Sequence, residues 1–297
     1  MHGKGGSRNR TGTTRIKMVY SSDMRFIVFL ALVSFSLFIS GCPEQSVDSE
    51  TTDGPESAQG LDAARQPVLV ELFTSEGCSS CPPADKNLAF LDKQQAVPQA
   101  EIITLAFHVD YWDRLGWKDR FSSPLFSRRQ EIYSQALKLD SNYTPQMIVD
   151  GESEFVGSDS GKAAREIAKA AGAAKAHIEM AVDADDVEIK ISNAPKHADA
   201  TVYAAIAEDG ISSRVERGEN AGSTLEHVSV VRELKAVGVL AADRQELETS
   251  SELQINPDWN ASKLRVVVFV QENDSRRIIG VGRSILSTER REAAQRP

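Results

Sequence analysis

The sequence predicts an α/β fold, a mixed sheet flanked by helices, followed by a β-sandwich-like C-terminal region. Apolar strand-like runs alternate with helical patterns from residue 67 to residue 175. Short alternating segments follow at regular spacing from residue 176 to residue 288, which is typical of strands in a sandwich. About 220 residues follow the polar N-terminal stretch, enough for two domains of ordinary size.

The first region reads as strand, helix, strand, helix, hairpin and helix, the order expected of an α/β layer with a mixed sheet. Continuous apolar runs indicate the strands, and apolar residues three or four positions apart indicate the helices. Asp150-Gly151 is a strong hairpin turn. The predicted elements are Val68–Phe73 (strand), Ala84–Gln95 (helix), Ile102–Val109 (strand), Pro124–Leu139 (helix), Gln146–Val149 and Glu154–Val156 (strands) and Ser160–Ala171 (helix).

The second region is predicted to be rich in strands, because apolar and polar residues alternate between turn signals. One stretch is ambiguous: Val228–Val239 also fits a helix, since Val231, Leu234 and Val237 recur every three residues. The predicted strands are His177–Val182, Val187–Ile191, Thr201–Ala207, a stretch near His227–Leu234, Glu246–Leu253, Leu264–Gln271 and Ile278–Leu286.

The N-terminus has the pattern of an export signal. Arg25 precedes an apolar run, Phe26–Ile39, which ends in Ile-Ser-Gly-Cys42. A basic residue, a short apolar core and small residues at the exit predict a signal peptide over residues 1–41. The run is shorter than the roughly twenty residues that a membrane span needs. Its ending resembles the lipobox of bacterial lipoproteins, in which Cys42 would carry the lipid; the alternative is an ordinary signal peptide with a coincidental cysteine.

The polar segments and the charge indicate where the protein works. Residues 42–66 have almost nothing to bury and are predicted to be a disordered tether, and residues 289–297 a disordered tail. The chain has 34 Lys and Arg and 43 Asp and Glu, and residues 1–41 contain six of the basic residues and one of the acidic residues. The remaining residues, 42–297, therefore have a formal charge of −14. This charge argues against nucleic acid as a partner. We expect a bacterial envelope protein, lipid-anchored through Cys42 and facing the periplasm or the exterior.

Two cysteines carry the most specific chemical signal. Cys78 and Cys81 follow a predicted strand and open a predicted helix. This C-x-x-C arrangement is typical of redox sites in thioredoxin-like folds. Since Cys42 is assigned to the lipid, the two thiols are expected to form a disulfide with each other in an oxidising compartment. A bridge over so short a loop constrains the unfolded chain little, which favours a chemical role. We expect an exposed Cys78 that attacks and a Cys81 beneath it that resolves the mixed disulfide.

The residues at the end of the second predicted strand are expected near these thiols, because parallel strands end at one edge of a sheet. They are His108, Asp110, Tyr111, Trp112 and Asp113. His108 would lower a thiol pKa, or it is a structural histidine at a strand end. Asp110 and Asp113 would move protons, or they cap a turn or form a surface pair. Trp112 would form an apolar rim for a partner protein, or it packs in the core.

Thr144-Pro145 immediately precedes the third predicted strand, where a proline is tolerated. Taken alone, it is an ordinary turn proline. Together with the C-x-x-C pair, it is a candidate cis peptide bond in the functional site.

Several motifs resemble an uncharacterised bacterial family of secreted thioredoxin-like proteins, catalogued as a domain of unknown function. The resemblance covers nearly all of residues 67–286 and implies a thioredoxin fold. Cys78 matches the attacking thiol, Cys81 the resolving thiol and Pro145 the cis-proline. The motifs are Glu71-Leu-Phe-Thr-Ser-Glu-Gly-Cys-Ser-Ser-Cys-Pro-Pro-Ala-Asp85, His108-Val-Asp-Tyr-Trp-Asp113, Leu115-Gly-Trp117, Tyr143-Thr-Pro-Gln146, Gly218-Glu-Asn-Ala-Gly-Ser-Thr-Leu225 and Val230-Val-Arg-Glu-Leu234.

The sequence departs from ordinary thioredoxins around the cysteines. Gly77 stands before Cys78 in place of a tryptophan, and the two residues between the thiols are Ser-Ser. Pro82-Pro83 follows Cys81, which favours a helix beginning at Pro82. These departures leave open which thiol the helix dipole stabilises.

The leading functional hypothesis is an envelope thiol–disulfide oxidoreductase that acts on protein thiols or disulfides without a cofactor. One alternative is a Cu(I)-handling protein that uses Cys78, Cys81 and His108, because Cu(I) prefers soft ligands. The other is a non-enzymatic envelope binding module on a thioredoxin scaffold, since a fold does not determine a function.

Overall fold

The computed structural model describes residues 65–183 and 185–286, most of whose strands belong to an eight-stranded mixed sheet. The predicted signal peptide, Cys42, the tether before residue 65 and the C-terminal tail lie outside the described residues. Within the described part, no helix has the length and apolar character needed to cross a membrane. The first elements are β1 (Gln66–Thr74), α1 (Pro82–Gln94), β2 (Ala100–His108), α2 (Pro124–Ala136), β3 (Gln146–Val149), β4 (Ser153–Val156) and α3 (Ser160–Ala170).

Up to residue 286, nine more strands are described after α3. They are β5 (His177–Asp183), β6 (Asp186–Ser192), β7 (Ala200–Glu208), β8 (Ile211–Arg214), β9 (Thr224–His227), β10 (Val230–Leu240), β11 (Leu247–Glu252), β12 (Leu264–Glu272) and β13 (Ile278–Ile285).

The first half of the chain forms one end of the main sheet. β1 pairs in parallel with β2 and antiparallel with β3, and β4 lies outside β3. β1 is buried along nearly its whole length, because helices cover both of its faces. α1 and α3 pack on one face, where Leu88 and Ile167 share a core with Val70. α2 packs on the other face, where Tyr133 shares a core with Phe73.

The predicted helices are confirmed, and their starts follow local chemistry. α1 begins at Pro82, two residues before the predicted Ala84, because a proline in the first turn loses no hydrogen bond. The Ser123 hydroxyl accepts from the Leu125 N–H at the start of α2. The Asp159 carboxylate accepts from the Lys162 N–H at the start of α3. These contacts satisfy backbone donors that a helix leaves free at its N-terminus.

The boundary predicted at residue 175 does not separate two sheets, which corrects the prediction of an independent C-terminal sandwich. The strand order of the main sheet is β13-β12-β7-β10-β2-β1-β3-β4, so four C-terminal strands extend the sheet begun by β1. β11, β6 and β5 form a separate three-stranded sheet. Val187 and Ile189 of β6 pack with Val202 of β7 and Val268 of β12, so a two-layer sandwich exists only at this end.

The ambiguous stretch is strand β10, and the helical interpretation of Val228–Val239 was wrong. β10 pairs antiparallel with β7, with register shifts between Val231 and Glu233 and between Ala236 and Gly238. A β-bulge inserts an extra residue on one strand and interrupts the alternation of faces. At each of the two bulges, the spacing between inward-facing residues grows from two positions to three. The apolar residues of β10 therefore recur at a spacing that resembles that of a helix.

The two halves of the sheet meet where β10 lies beside β2. The strands are paired in parallel at Val230 and Ala106, and the Ala106 N–H donates to the Ser229 carbonyl over 2.8 Å. Arg265 of β12 strengthens this junction: its guanidinium lies 2.9 Å from carboxylate oxygens of both Asp92 and Asp209. One buried cation thus links β12 to the end of α1 and to the loop after β7.

A second buried cation holds α2 on the sheet. Arg129 Nε donates to Glu71 Oε1 of β1 over 2.7 Å, and Nη1 donates to Gln271 of β12 over 3.1 Å. Tyr133 donates its hydroxyl to the same Glu71 carboxylate. The guanidinium also lies over several aromatic rings, among them Phe107 at 5.4 Å. Burial opposes the charge, but Glu71, with Tyr133 and Tyr203, raises the Arg129 pKa above its ordinary value.

The substitution Arg129→Met tests this interaction. It leaves the Glu71 carboxylate buried without its cation, so we expect the free energy of unfolding to fall by about 3–5 kcal/mol. The double variant Glu71→Gln/Arg129→Met should recover part of that loss. The matched control is Arg128→Met on the same helix, whose exposed pair with Glu131 should contribute about 1 kcal/mol or less. Urea unfolding measures all three, and an equal loss in both single variants would contradict the assignment.

Candidate functional site

The predicted cysteine pair is formed as a disulfide at the start of α1. Cys78 and Cys81 are joined, with their Cα atoms 5.4 Å apart. The loop turns tightly, because the Cys81 N–H donates to the Cys78 carbonyl over 3.2 Å. The Cys81 carbonyl in turn accepts from Ala84 and Asp85 in the first turn of α1. The two sulfur atoms therefore sit at the positive end of the helix dipole.

Both cysteines are 0% exposed, which corrects the expectation of an accessible Cys78. Trp112 covers one side: a Cβ on Gly77 would lie 3.2 Å from the Trp112 Cβ, so a residue larger than glycine would crowd the indole. The Trp112 Nε1–H donates to Thr144 Oγ1 over 2.8 Å, which fixes the ring. Trp112 is thus half-buried and packs against the disulfide loop.

The C-terminal half of the chain covers the other side. The Asn220 side-chain amide donates to the carbonyls of Glu76 and Cys78 over 2.8 and 3.0 Å. The exposed Glu219 carboxylate accepts from both the N–H and the hydroxyl of Ser79, over 3.1 and 2.6 Å. These residues lie between β8 and β9, about 140 positions from the cysteines. The sequence does not indicate this contact.

The Thr144–Pro145 peptide bond is cis, and Pro145 is buried before β3. Its carbonyl accepts from the Gly157 N–H over 3.0 Å. A Cβ on Gly157 would lie 3.0 Å from the Ala84 Cβ and 3.6 Å from the Pro145 Cβ. Pro145 therefore lies next to the first turn of α1, near the disulfide.

A cluster of buried ionisable side chains lies behind the disulfide loop. His108 Nδ1 lies 2.6 Å from Asp119 Oδ2, and His227 Nε2 lies 3.3 Å from Glu76 Oε1. The two imidazole rings meet edge to face with centroids 5.0 Å apart. Asp85 joins the cluster from α1, where its carboxylate accepts from the Thr74 hydroxyl over 2.9 Å.

Burial and charge shift the pKa values of this cluster in opposite directions. Burial raises the pKa of Asp85 above its usual range, and the two histidines only partly oppose that shift. Burial opposes the charged form of His108, but Asp119, with Asp85 and Glu76, raises the His108 pKa above 6.5. Burial also opposes ionisation of Asp119, yet His108 and two backbone N–H groups lower its pKa to about 2. His108 and Asp119 therefore form an ion pair.

The pKa of Glu76 is also lowered, and its carboxylate is held in place by the indole of a second tryptophan. Burial raises the pKa, but the contact with His227 and other hydrogen bonds outweigh burial. Trp117 Nε1–H donates to Glu76 Oε2 over 2.7 Å. Among the described residues, three polar atoms of this cluster are buried without a hydrogen-bond partner: Glu76 Oε1, His108 Nε2 and His227 Nε2.

The other predicted carboxylates have structural contacts. Asp110 accepts from the Ser127 hydroxyl of α2. Asp113 accepts from the Asp119 N–H over 3.2 Å and from the Ser122 hydroxyl over 2.8 Å. Asp113 thus holds the loop that carries Asp119.

Sequence reasoning missed four members of the cluster. Glu76 and Asp85 lie within the cysteine motif, so their position next to the thiols was a usable signal. Asp119 lies in the same loop as Asp113, six residues further on. His227 gives no such signal, because its approach depends on the pairing of β10 with β2.

Within residues 65–183 and 185–286, no group of three or more His, Cys, Asp or Glu side chains is arranged to hold a metal ion. In the Cu(I) alternative, Cys78 and Cys81 would both be thiolate ligands, whereas here they are bonded to each other. The geometry does not favour that alternative.

The substitution Asp119→Asn tests the buried ion pair. We expect the His108 pKa to fall, because the anion that raises it is removed, and the free energy of unfolding to drop by about 3 kcal/mol. The raised His108 pKa contributes stability that is full below pH 6.5 and is lost as pH rises through the folded pKa. On the acid side, the Asp119 contribution is lost as pH falls from 3.8 through about 2.

NMR titration of His108 and urea unfolding at several pH values measure both effects. The variant should lack the decline in stability above pH 6.5 that the native pair produces. Asp140→Asn, at an exposed position, is the control. An unchanged His108 titration curve in Asp119→Asn would contradict the pairing.

Solved structures support the overall fold. A protein from Agrobacterium tumefaciens, determined by a structural genomics consortium, is 26% identical, with a TM-score of 0.60, and the match covers 74% of this chain and 95% of that chain. A domain of the outer membrane lipoprotein Omp28 from Porphyromonas gingivalis is 15% identical and covers 38% of this chain and 89% of its own. Its TM-score of 0.25 is too low to carry an argument. No curated protein matches the chain.

The expected family relationship is confirmed by a family model described as "Protein of unknown function (DUF1223)". It matches residues 69–271, which span β1 to β12 and include the disulfide loop, the buried cluster and Asn220. Since the match covers more than half of the sequence, the chain belongs to the DUF1223 family of proteins of unknown function.

Proposed function

We propose that this protein is an envelope thiol–disulfide oxidoreductase that exchanges disulfides with protein thiols, and that residues 67–175 are a thioredoxin-like domain. The order β2-β1-β3-β4, with α1 following β1 and the C-x-x-C pair at the start of α1, supports the thioredoxin-like assignment. The envelope location rests on the export signal and on the lipobox-like Cys42.

One observation carries the proposal: the disulfide lies beside five buried ionisable side chains. Burying ionisable groups costs free energy, and a bridge over two residues stabilises the fold little. A purely structural bridge needs no such neighbours. Disulfide reduction consumes two electrons and two protons, so a redox site does benefit from nearby groups that hold protons. The five residues are Glu76, Asp85, His108, Asp119 and His227.

The proposed exchange takes place in two steps. A thiolate of a partner dithiol attacks Cys78 Sγ, forms a mixed disulfide and releases Cys81 as a thiolate. The partner's second thiolate attacks the partner sulfur of the mixed disulfide, which forms the partner's disulfide and releases Cys78. Two electrons pass from the partner to the cysteine pair, and two protons complete the dithiol. The reverse sequence reduces a partner disulfide, and the two reduction potentials set the direction.

The protein favours two parts of this exchange. The N-terminus of α1 stabilises the leaving thiolate of Cys81, which is the residue before the helix. Asp85 lies in the first turn of α1, where its N–H donates to the Cys81 carbonyl over 3.1 Å and burial raises its pKa, and we assign to it the proton that this thiolate takes up. Both cysteines are fully buried, so the reacting sulfur atoms are shielded from bulk water.

Burial of both sulfur atoms favours a second candidate, a non-enzymatic binding module in which the bridge is inert. The two candidates differ in the reduction potential of the Cys78–Cys81 pair. An inert structural bridge is expected below about −300 mV, whereas a catalytic pair lies above it. Equilibration with a glutathione or dithiothreitol redox buffer measures this value.

The direct test is a trapping experiment in a Cys42→Ala background, which removes the third thiol. Reduced Cys81→Ser should attack a peptide disulfide through Cys78 and keep the peptide as a stable mixed disulfide, because no thiol is left to release it. Mass spectrometry should detect this adduct in Cys81→Ser and not in the matched Cys78→Ser variant. Absence of the adduct in a folded Cys81→Ser protein, with a potential below about −300 mV, would refute the proposal.

A further inference from the structure

The tip of the β8–β9 hairpin lies directly on the disulfide loop; we refer to this tip, residues 215–223, as the cover. Asn220 and Glu219 make its four hydrogen bonds to the disulfide loop. β8 and β9 form a two-stranded sheet outside the main sheet. The cover therefore belongs to a hairpin of the C-terminal half that projects from the main sheet and contacts the disulfide loop.

The cover is organised by its own contacts. The Val215 N–H donates to the Ser223 carbonyl over 2.9 Å, and the Gly222 N–H donates to the Val215 carbonyl over 2.8 Å. Gly218 and Gly222 both have positive φ, of 80° and 82°, which suits their turns. The cover can thus lift away from the disulfide loop without losing these internal bonds.

The two sides that enclose the disulfide differ in how firmly they are held. Trp112 packs on the core beneath α2 and is tied to Thr144. The cover exposes most of its residues, among them Glu219, and borders a cleft of about 390 Å³ between α1 and β9. Exposed segments with few buried contacts open locally at the lowest free energy. The side most easily opened is therefore the cover.

The surface beneath the cover has a defined chemistry. Ser79 presents an N–H and a hydroxyl donor, and the carbonyls of Glu76 and Cys78 present two acceptors. A carboxylate and an amide N–H satisfy this set, as Glu219 and Asn220 now do. An extended polypeptide with an acidic side chain offers the same groups.

We propose that the cover occupies, within the same chain, the binding surface for an acidic partner polypeptide, and that the disulfide reacts only when the cover is displaced. The biological role of this surface rests on the proposed function. The displacement of the cover does not rest on the proposed function, because the rate at which a small dithiol reduces the disulfide measures it without any protein partner.

The experiment measures the rate at which dithiothreitol reduces the disulfide, in a Cys42→Ala background. Dithiothreitol loses two electrons and forms its own cyclic disulfide, while the S–S bond of the protein breaks and Cys78 and Cys81 each gain a proton. Thiol alkylation followed by mass spectrometry gives the rate. Asn220→Asp keeps the shape but removes both donors and places a carboxylate against two carbonyls, so reduction should be at least about tenfold faster.

Two further variants complete the series. Glu219→Gln weakens the exposed contact to Ser79, so the increase should be smaller, about twofold. The matched control is Glu216→Gln, an exposed position of the same cover, whose rate should equal that of the parent. Equal rates in all variants would overturn the proposal, and so would an equal increase in Asn220→Asp and Glu216→Gln. Glu219→Gln keeps the test decisive if Asn220→Asp does not fold.

The partner chemistry is tested with two disulfide-bonded peptides that differ only in Glu or Lys beside the reactive cysteine. Reaction with the reduced Cys81→Ser variant should be about tenfold faster for the Glu peptide, and the preference should shrink in a Ser79→Ala variant, which lacks the hydroxyl donor. Equal rates for both peptides would overturn the acidic preference. Suppose that neither peptide reacts, while dithiothreitol still reduces the Asn220→Asp variant faster than the parent. This result would overturn the proposed function, but not the proposal that the cover shields the disulfide.

Discussion

The pairing of β10 with β2 is the constraint on which the site depends. It joins the C-terminal strands to the sheet that carries the cysteines, through the Ala106 and Ser229 backbones and the Arg265 guanidinium. The hairpin that precedes β10 then lies beside the end of β2. His227 meets His108 and Asn220 meets the disulfide loop as consequences of this one junction.

Burial gives the disulfide loop its chemical character. A carboxylate in a dry interior needs a partner: Asp119 lies 2.6 Å from His108, and Glu76 accepts from the Trp117 indole over 2.7 Å. Asp85 has weaker compensation, so its pKa is raised. The burial that shifts these pKa values also shields the sulfur atoms from solvent. The accessibility of the disulfide and the pKa values of the neighbouring side chains therefore depend on the same packing.

Much of the fold was predictable because the local patterns agree with the tertiary structure. β1 and β2 are continuous apolar runs buried on both faces, and α1 begins at a proline. β10 was ambiguous between strand and helix, because two bulges change its period, and β8 and β9 are too short and polar to stand out. The prediction of a separate C-terminal sandwich was wrong, because the periodicity of a segment indicates that it is a strand but does not indicate which sheet it joins.

By itself, the sequence determined the cysteine pair, the strand-to-helix junction that presents it and the alternation of strands and helices around it, because each depends on residues close together in the chain. Only the tertiary structure decided that both sulfur atoms are buried and that Asp119, His227 and Asn220 surround them. The physical reason is that burial and ion pairing depend on contacts between residues about 150 positions apart, such as Glu76 and His227, which local propensity does not encode.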